Sequence, residues 1–186
     1  MTLKRLLILL LLLSTTACTK LYYLSGDRFD GSIDKHFNPV GKGTYRFANG
    51  DKLSGEFQNG EVVGTGTIDF ADGKQYVGQF RENRIYGKGS MAYTNGDRYD
   101  GDFVNGKRHG KGVYYFVTGG RYIGEFKNDV MSGYGSFKYA NGDKYVGQVL
   151  NGNHHGRGIE TFAQDRVPLE GIWNEGSFIR PEKLAR

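Results

Sequence analysis

From residue 27 to residue 178 apolar and polar positions alternate with a period of two. Tyr99, Gly101 and Phe103 fall on one face of an extended chain, and Arg98, Asp100 and Asp102 fall on the other. Gly110, Gly112, Tyr114 and Phe116 alternate in the same way with Lys111, Val113 and Tyr115. Such alternation over five to seven residues predicts β-strands. No stretch between Asp27 and Phe178 has the 3.6-residue apolar period of an amphipathic helix. The strands are separated by Asn49-Gly50, Asn95-Gly96 and Asn141-Gly142. Asn-Gly suits a two-residue hairpin turn, in which both positions need positive φ. The opposite turns, such as Asn105 to His109, are expected to be longer.

The pattern recurs every 23 residues. Gly55, Gly78, Gly101, Gly124 and Gly147 mark one series, and Gly41/Gly43, Gly64/Gly66, Gly87/Gly89, Gly110/Gly112, Gly133/Gly135 and Gly156/Gly158 mark another. Leu53, Tyr76, Tyr99, Tyr122 and Tyr145 precede the first series by two residues. Phe57, Phe80, Phe103, Phe126 and Val149 follow it by two. Gly26–Gly31 and Leu169–Trp173 are degraded copies offset by one inserted residue, as expected of repeats that cap an array. Each repeat is one hairpin, and consecutive hairpins give an antiparallel meander. The strand glycines share a face with the aromatic rings, where each leaves a gap that a neighbouring ring can cover.

The run Tyr99-Asp100-Gly101-Asp102-Phe103-Val104-Asn105-Gly106-Lys107-Arg108-His109-Gly110-Lys111-Gly112 resembles a MORN repeat. The resemblance extends over residues 26–178 as about five full repeats with degraded terminal copies, leaving residues 179–186 as a tail. Leu53 and Leu169 in place of the tyrosine, and Val149 in place of the phenylalanine, depart from the pattern. The resemblance implies an all-β, elongated, single-layer twisted meander. It also implies roles in scaffolding, membrane attachment and protein association, and no catalysis.

Composition bears on where the chain works. Lys4 and Arg5 precede an apolar run from Leu6 to Leu13, then Ser14, Thr15, Thr16, Ala17 and Cys18. The run is shorter than the ~20 residues that span a bilayer, and it reads as a signal peptide over residues 1–17. The single cysteine, Cys18, admits no intramolecular disulfide. Its place resembles a bacterial lipoprotein site, which implies acylation of Cys18 and a short tether over residues 18–25. Thr15 stands where that family prefers Leu, and plain secretion is the alternative. Thr19 after the cysteine resembles sorting to the outer membrane, with the protein facing the periplasm. The formal net charge of +5 falls by two with Lys4 and Arg5 removed, too little to point to nucleic acid.

Candidate chemistry is sparse. His109 and His155 occupy one slot two repeats apart, roughly 20 Å at about 4.8 Å per strand, too far to share a metal ion. His154 and His155 are expected on a solvated turn. No nucleophile elbow or phosphate loop is present, and no cofactor is implied. A binding surface is expected on the rings of Tyr76, Tyr99, Tyr122, Tyr145, Phe80, Phe103 and Phe126, or on the cations Lys88, Lys107, Arg108 and Lys111. Lys42, Lys88, Lys111 and Arg157, at the middle of Gly-x-Gly, form a ladder helped by Arg84, Lys107 and Arg108 on the long-turn edge and facing anionic phospholipid, or else pair across strands, Lys111 with Asp102. The leading expectation is a non-catalytic envelope scaffold for another envelope protein or a second copy of itself. A glycan reader using exposed rings is the rival, weakened by the lone Trp173.

Overall fold

The computed structural model describes residues 7–10, 19–164 and 166–183. Two units result, Met1–Thr94 and Asn95–Arg186. The first holds β1 (Leu7–Leu10), β2 (Thr19–Tyr23), β3 (Arg28–Ile33), β4 (Pro39–Arg46), β5 (Lys52–Gln58), β6 (Glu61–Asp69), β7 (Gln75–Arg81) and β8 (Arg84–Ala92). The second holds β9 (Arg98–Val104), β10 (Lys107–Tyr115), β11 (Arg121–Lys127), β12 (Val130–Lys138), β13 (Lys144–Leu150), β14 (Asn153–Thr161), β15 (Leu169–Asn174) and β16 (Ser177–Pro181). Within each unit every strand pairs antiparallel with the next in sequence. The fold is an all-β hairpin meander, with no helix among the described residues. Residues 19–23, read from the sequence as tether, are strand β2, and Leu21 there is fully buried.

The turns are the reverse of the sequence expectation. The two-residue turns include Asn59-Gly60, Asn105-Gly106 and Asn151-Gly152, with φ of 50° and 81°, 51° and 79°, and 52° and 80°. They link directly paired residues such as Val104 and Lys107. At the other end, Gly50 N–H donates to Phe47 O and Phe47 N–H to Asp51 O, both at 2.9 Å. Only Gly50 is left-handed there, so Ala48-Asn49-Gly50 is a three-residue loop made of a type I turn and a left-handed glycine. The residue inserted near the start of the array enlarges the β3–β4 turn, where Asp34 N–H reaches Asn38 O at 2.9 Å.

A bulge explains the first glycine of each Gly-x-Gly pair. Gly64, Gly87, Gly110, Gly133 and Gly156 all have φ between 53° and 78°. The strand register slips beside them, as between Arg108 and Gly112. The slip returns Gly112 to the face of Gly101, its register partner.

Packing centres on that glycine pair. A Cβ on Gly101 or on Gly112 would fall on the Tyr99 ring, and the same holds for Gly78 and Gly89 beneath Tyr76 and for Gly124 and Gly135 beneath Tyr122. The covering ring is two residues back on the same strand and reaches the neighbouring strand as well. Phe103 and Phe126 meet the Tyr99 ring edge-on at centroid distances of 5.1 and 4.8 Å, so one tyrosine joins two repeats. Replacing Gly101 with Val should therefore cost about 1–3 kcal/mol by overpacking. Replacing the exposed Lys111 with Ala should stay within about 0.5 kcal/mol. Denaturant unfolding of the two variants checks the difference, and equal losses would mean that the ring does not occupy the glycine pair.

Candidate functional site

One face of each unit is closed. Tyr76, Tyr99, Tyr122 and Tyr145 are 0% exposed, and Phe80, Phe103 and Phe126 are also buried. The tyrosine hydroxyls turn inward and donate to the backbone carbonyls of Gln79, Asp102, Glu125 and Gln148 at 2.8–3.1 Å. Burial pushes the hydroxyls of Tyr76, Tyr122 and Tyr145 up to about 12. These seven rings therefore cannot serve as stacking platforms for a sugar, contrary to that expectation, because each is spent covering glycines and neighbouring rings.

The cations divide. Lys88, Lys107 and Lys111 are exposed. Arg108 is turned into the aromatic face, with its guanidinium 5.1 Å from the Tyr114 ring centre and 5.6 Å from that of Phe126. Its Nη2 donates to Asp129 O at 2.7 Å, and its Nε reaches Asp129 Oδ1 at 3.2 Å. It is thus no part of a cationic ladder. On the β11 side the register partner of Lys111 is Glu125. The Asp102 carboxylate accepts the Lys111 backbone N–H at 3.2 Å, as Gln79 accepts that of Lys88 and Gln148 that of Arg157. The recurring polar side chain at this position closes the bulge.

His154 departs furthest from expectation. It is buried, stacked on Tyr145 at 3.6 Å, with Trp173 edge-on at 5.0 Å. Its Nε2 meets the Tyr139 hydroxyl at 2.7 Å. It shares a slot with Val62, Ile85, Arg108 and Met131, each 23 residues from the next. That spacing was the available signal for both Arg108 and His154, because a slot filled by Val, Ile and Met faces the core.

The opposite face is open. In the first unit it forms a trough of about 650 Å³ lined by Thr44, Ser54, Thr65, Thr67, Lys42 and Val77, among others. Val77 is 48% exposed. In the second unit Ile123 is 46% exposed and Val146 51%, in positions equivalent to Val77, and Tyr134 beside them is 54% exposed. Such residues carry apolar area that the protein's own fold does not use. Among the described residues no cluster of three His, Cys, Asp or Glu side chains has metal-binding geometry. Cys18 lies outside the described residues.

Desolvation holds His154 down at about 4, against an ordinary 6.5. Below pH 6.5 the unfolded chain takes up a proton that the folded His154 refuses, so stability is lost as pH falls from about 6.5 to about 4. The loss amounts to at most about 3 kcal/mol. His154→Met, which places the residue of the preceding repeat in the slot, should remove that part of the acid sensitivity. Thermal melts of both proteins from pH 7 to pH 4 test this, and parallel pH profiles would contradict it.

Comparison with known proteins fits this geometry. No curated protein matches the sequence. Among solved structures, the TCP domain of Drosophila melanogaster SAS-4, in complex with a proline-rich motif of Ana2, aligns with a TM-score of 0.53 and 13% identity. The alignment covers 84% of this chain and 85% of that one. A mutant TCP10 domain of Danio rerio CPAP aligns with a TM-score of 0.32 and 17% identity, over 84% of this chain and 85% of that one. The first likeness concerns the fold alone. The family model for the MORN repeat matches residues 38–52, 54–75, 76–98, 99–121, 122–144 and 145–164, six stretches that cover most of the hairpins described above, and the chain belongs to the MORN-repeat family.

Proposed function

We propose that this protein is a non-catalytic scaffold that binds a polypeptide on its open sheet face and is held at a bacterial envelope membrane through acylated Cys18. The observation that carries the binding half is the asymmetry of the two faces. The aromatic face is consumed by packing. In the second unit the other face exposes Ile123 and Val146 at equivalent points of successive repeats, and in the first unit it exposes Val77. Repetition of one slot suits an extended partner that makes the same contact several times, each weak and the sum strong. The similarly folded Drosophila domain holds a proline-rich motif, which supports a short polypeptide as the class of partner. The anchoring half rests on the basic start, the apolar run and the lone Cys18. Two or more acyl chains anchor stably where one binds only marginally.

Three outcomes follow from this reading. Ile123→Asp with Val146→Asp should abolish capture of the partner from solubilised envelopes while the far-ultraviolet circular dichroism stays unchanged, since both side chains already face water. Retained capture by the folded variant would remove the open face from consideration. In-register deletion of residues 99–121 should leave a folded, shorter array with weakened binding, because the cut joins equivalent positions. All-or-none loss confined to one such deletion would mean a single localised site. Cys18→Ser should release the protein from the membrane fraction and abolish labelling by palmitate, and unlabelled wild-type protein would end the anchoring proposal.

A further inference from the structure

On the open face of the second unit, side chains form rows that run across the strands. One row is Val113, Ile123, Ser136, Val146 and Ile159, each the register partner of the next. The row beside it is Tyr115, Arg121, Lys138 and Lys144, again partner to partner. Arg121, Lys138 and Lys144 are exposed. Among the described residues none of the three makes an ion pair. Like charges set directly opposite one another across strands destabilise a sheet. Three in succession, on three neighbouring strands, are therefore a cost that packing of the free protein does not explain. A counter-charge supplied from outside does explain it.

The spacing restricts what supplies that charge. Strands lie about 4.8 Å apart, so one repeat of two strands advances about 9.6 Å along a row. The strongly exposed apolar side chains, Ile123 and Val146, come once per repeat. A polyproline II segment advances about 3.1 Å per residue and presents the same face every third residue, about 9.3 Å. A β-conformation segment repeats its face at about 6.6 Å and falls out of step. A bilayer fits less well, because it would meet the whole face, including Glu125 opposite Lys111 and Asp100 paired to Arg98.

We infer that the open face of the second unit takes an acidic segment in the polyproline II conformation, laid across β10 to β14. Every third residue, apolar, rests on the Ile123 and Val146 row, and the carboxylates beside it face Arg121, Lys138 and Lys144. The inference rests on the polypeptide-binding reading above and adds the charge, conformation and direction of the bound segment.

The test uses the full chain and labelled, end-capped peptides in fluorescence anisotropy. (Pro-Leu-Glu)4 should bind, and its affinity should fall about tenfold or more between about 50 and 200 mM salt. (Pro-Leu-Lys)4 should not bind, and (Leu-Glu)6, which has a two-residue period, should bind at least about tenfold more weakly. The triple variant Arg121→Gln, Lys138→Gln, Lys144→Gln should lose about tenfold or more in affinity while its unfolding temperature stays the same or rises. Failure of (Pro-Leu-Glu)4 to bind, equal binding of the lysine peptide, or unchanged binding by the triple variant overturns the inference. So does binding of phosphatidylglycerol vesicles through these three cations in place of the peptide. If the Ile123→Asp, Val146→Asp protein loses its envelope partner and the triple variant keeps it in full, the acidic segment is wrong and the polypeptide-binding role stands.

Discussion

The structure depends on one contact: a tyrosine ring lying flat over two glycines that face each other across a strand pair. A sheet with no second layer has to bury its apolar face with its own side chains. Gly101 and Gly112 remove two side chains, and Tyr99 fills the space they leave. The ring is then near enough for Phe103 of its own repeat and Phe126 of the next to close on its edges. Its hydroxyl, taken out of water, is satisfied by the Asp102 carbonyl. The 23-residue period is the distance at which this unit can be copied. Both glycines, the ring that covers them and the phenylalanine that seals it must come round together.

Other contacts keep the copies in register. Where an aspartate follows the three-residue loop it reaches the same loop of the next repeat: Asp27 accepts Ala48 N–H, Asp51 that of Ala71, Asp97 that of Val117 and Asp143 that of Ala163, all at 2.8–2.9 Å, whereas Lys74 and Gly120 hold that place in two other repeats. At the opposite end, the two-residue turns tie back to the preceding repeat, as where Asp129 N–H donates to Arg108 O. Within each unit, neighbouring repeats thus touch through loops, turns and rings, the nearest-neighbour scheme of solenoid proteins. The consequence for function is a division of labour. Packing occupies one face, and side chains on the other are free to vary for binding.

Much of this was legible in the chain. Alternation fixed the strands and the two faces, and the glycine series fixed the repeat. The turn types are not legible because Asn-Gly occurs at both ends of the hairpin, as Asn49-Gly50 and Asn59-Gly60, and only the strand register separates a two-residue turn from a three-residue loop. The bulge at the first glycine of Gly-x-Gly was also hidden, since one extra residue shifts which partner faces Lys111. Arg108 and His154 looked like turn residues by type. Their slot, shared with Val62, Ile85 and Met131, places them inside, which residue type alone does not show. The exposed row of Ile123 and Val146 was unremarkable in sequence, because a β-branched residue in a strand suits either face.

The division into a closed and an open face is tested most directly by tyrosine labelling. Mild iodination of the native protein, read by peptide mass spectrometry, should modify Tyr134, which is 54% exposed, and spare Tyr76, Tyr99, Tyr122 and Tyr145, which are fully buried. All should react once the chain is unfolded. Labelling of the four buried tyrosines at a rate like that of Tyr134 in the folded protein would mean that the aromatic face is open, and the assignment of faces would be wrong.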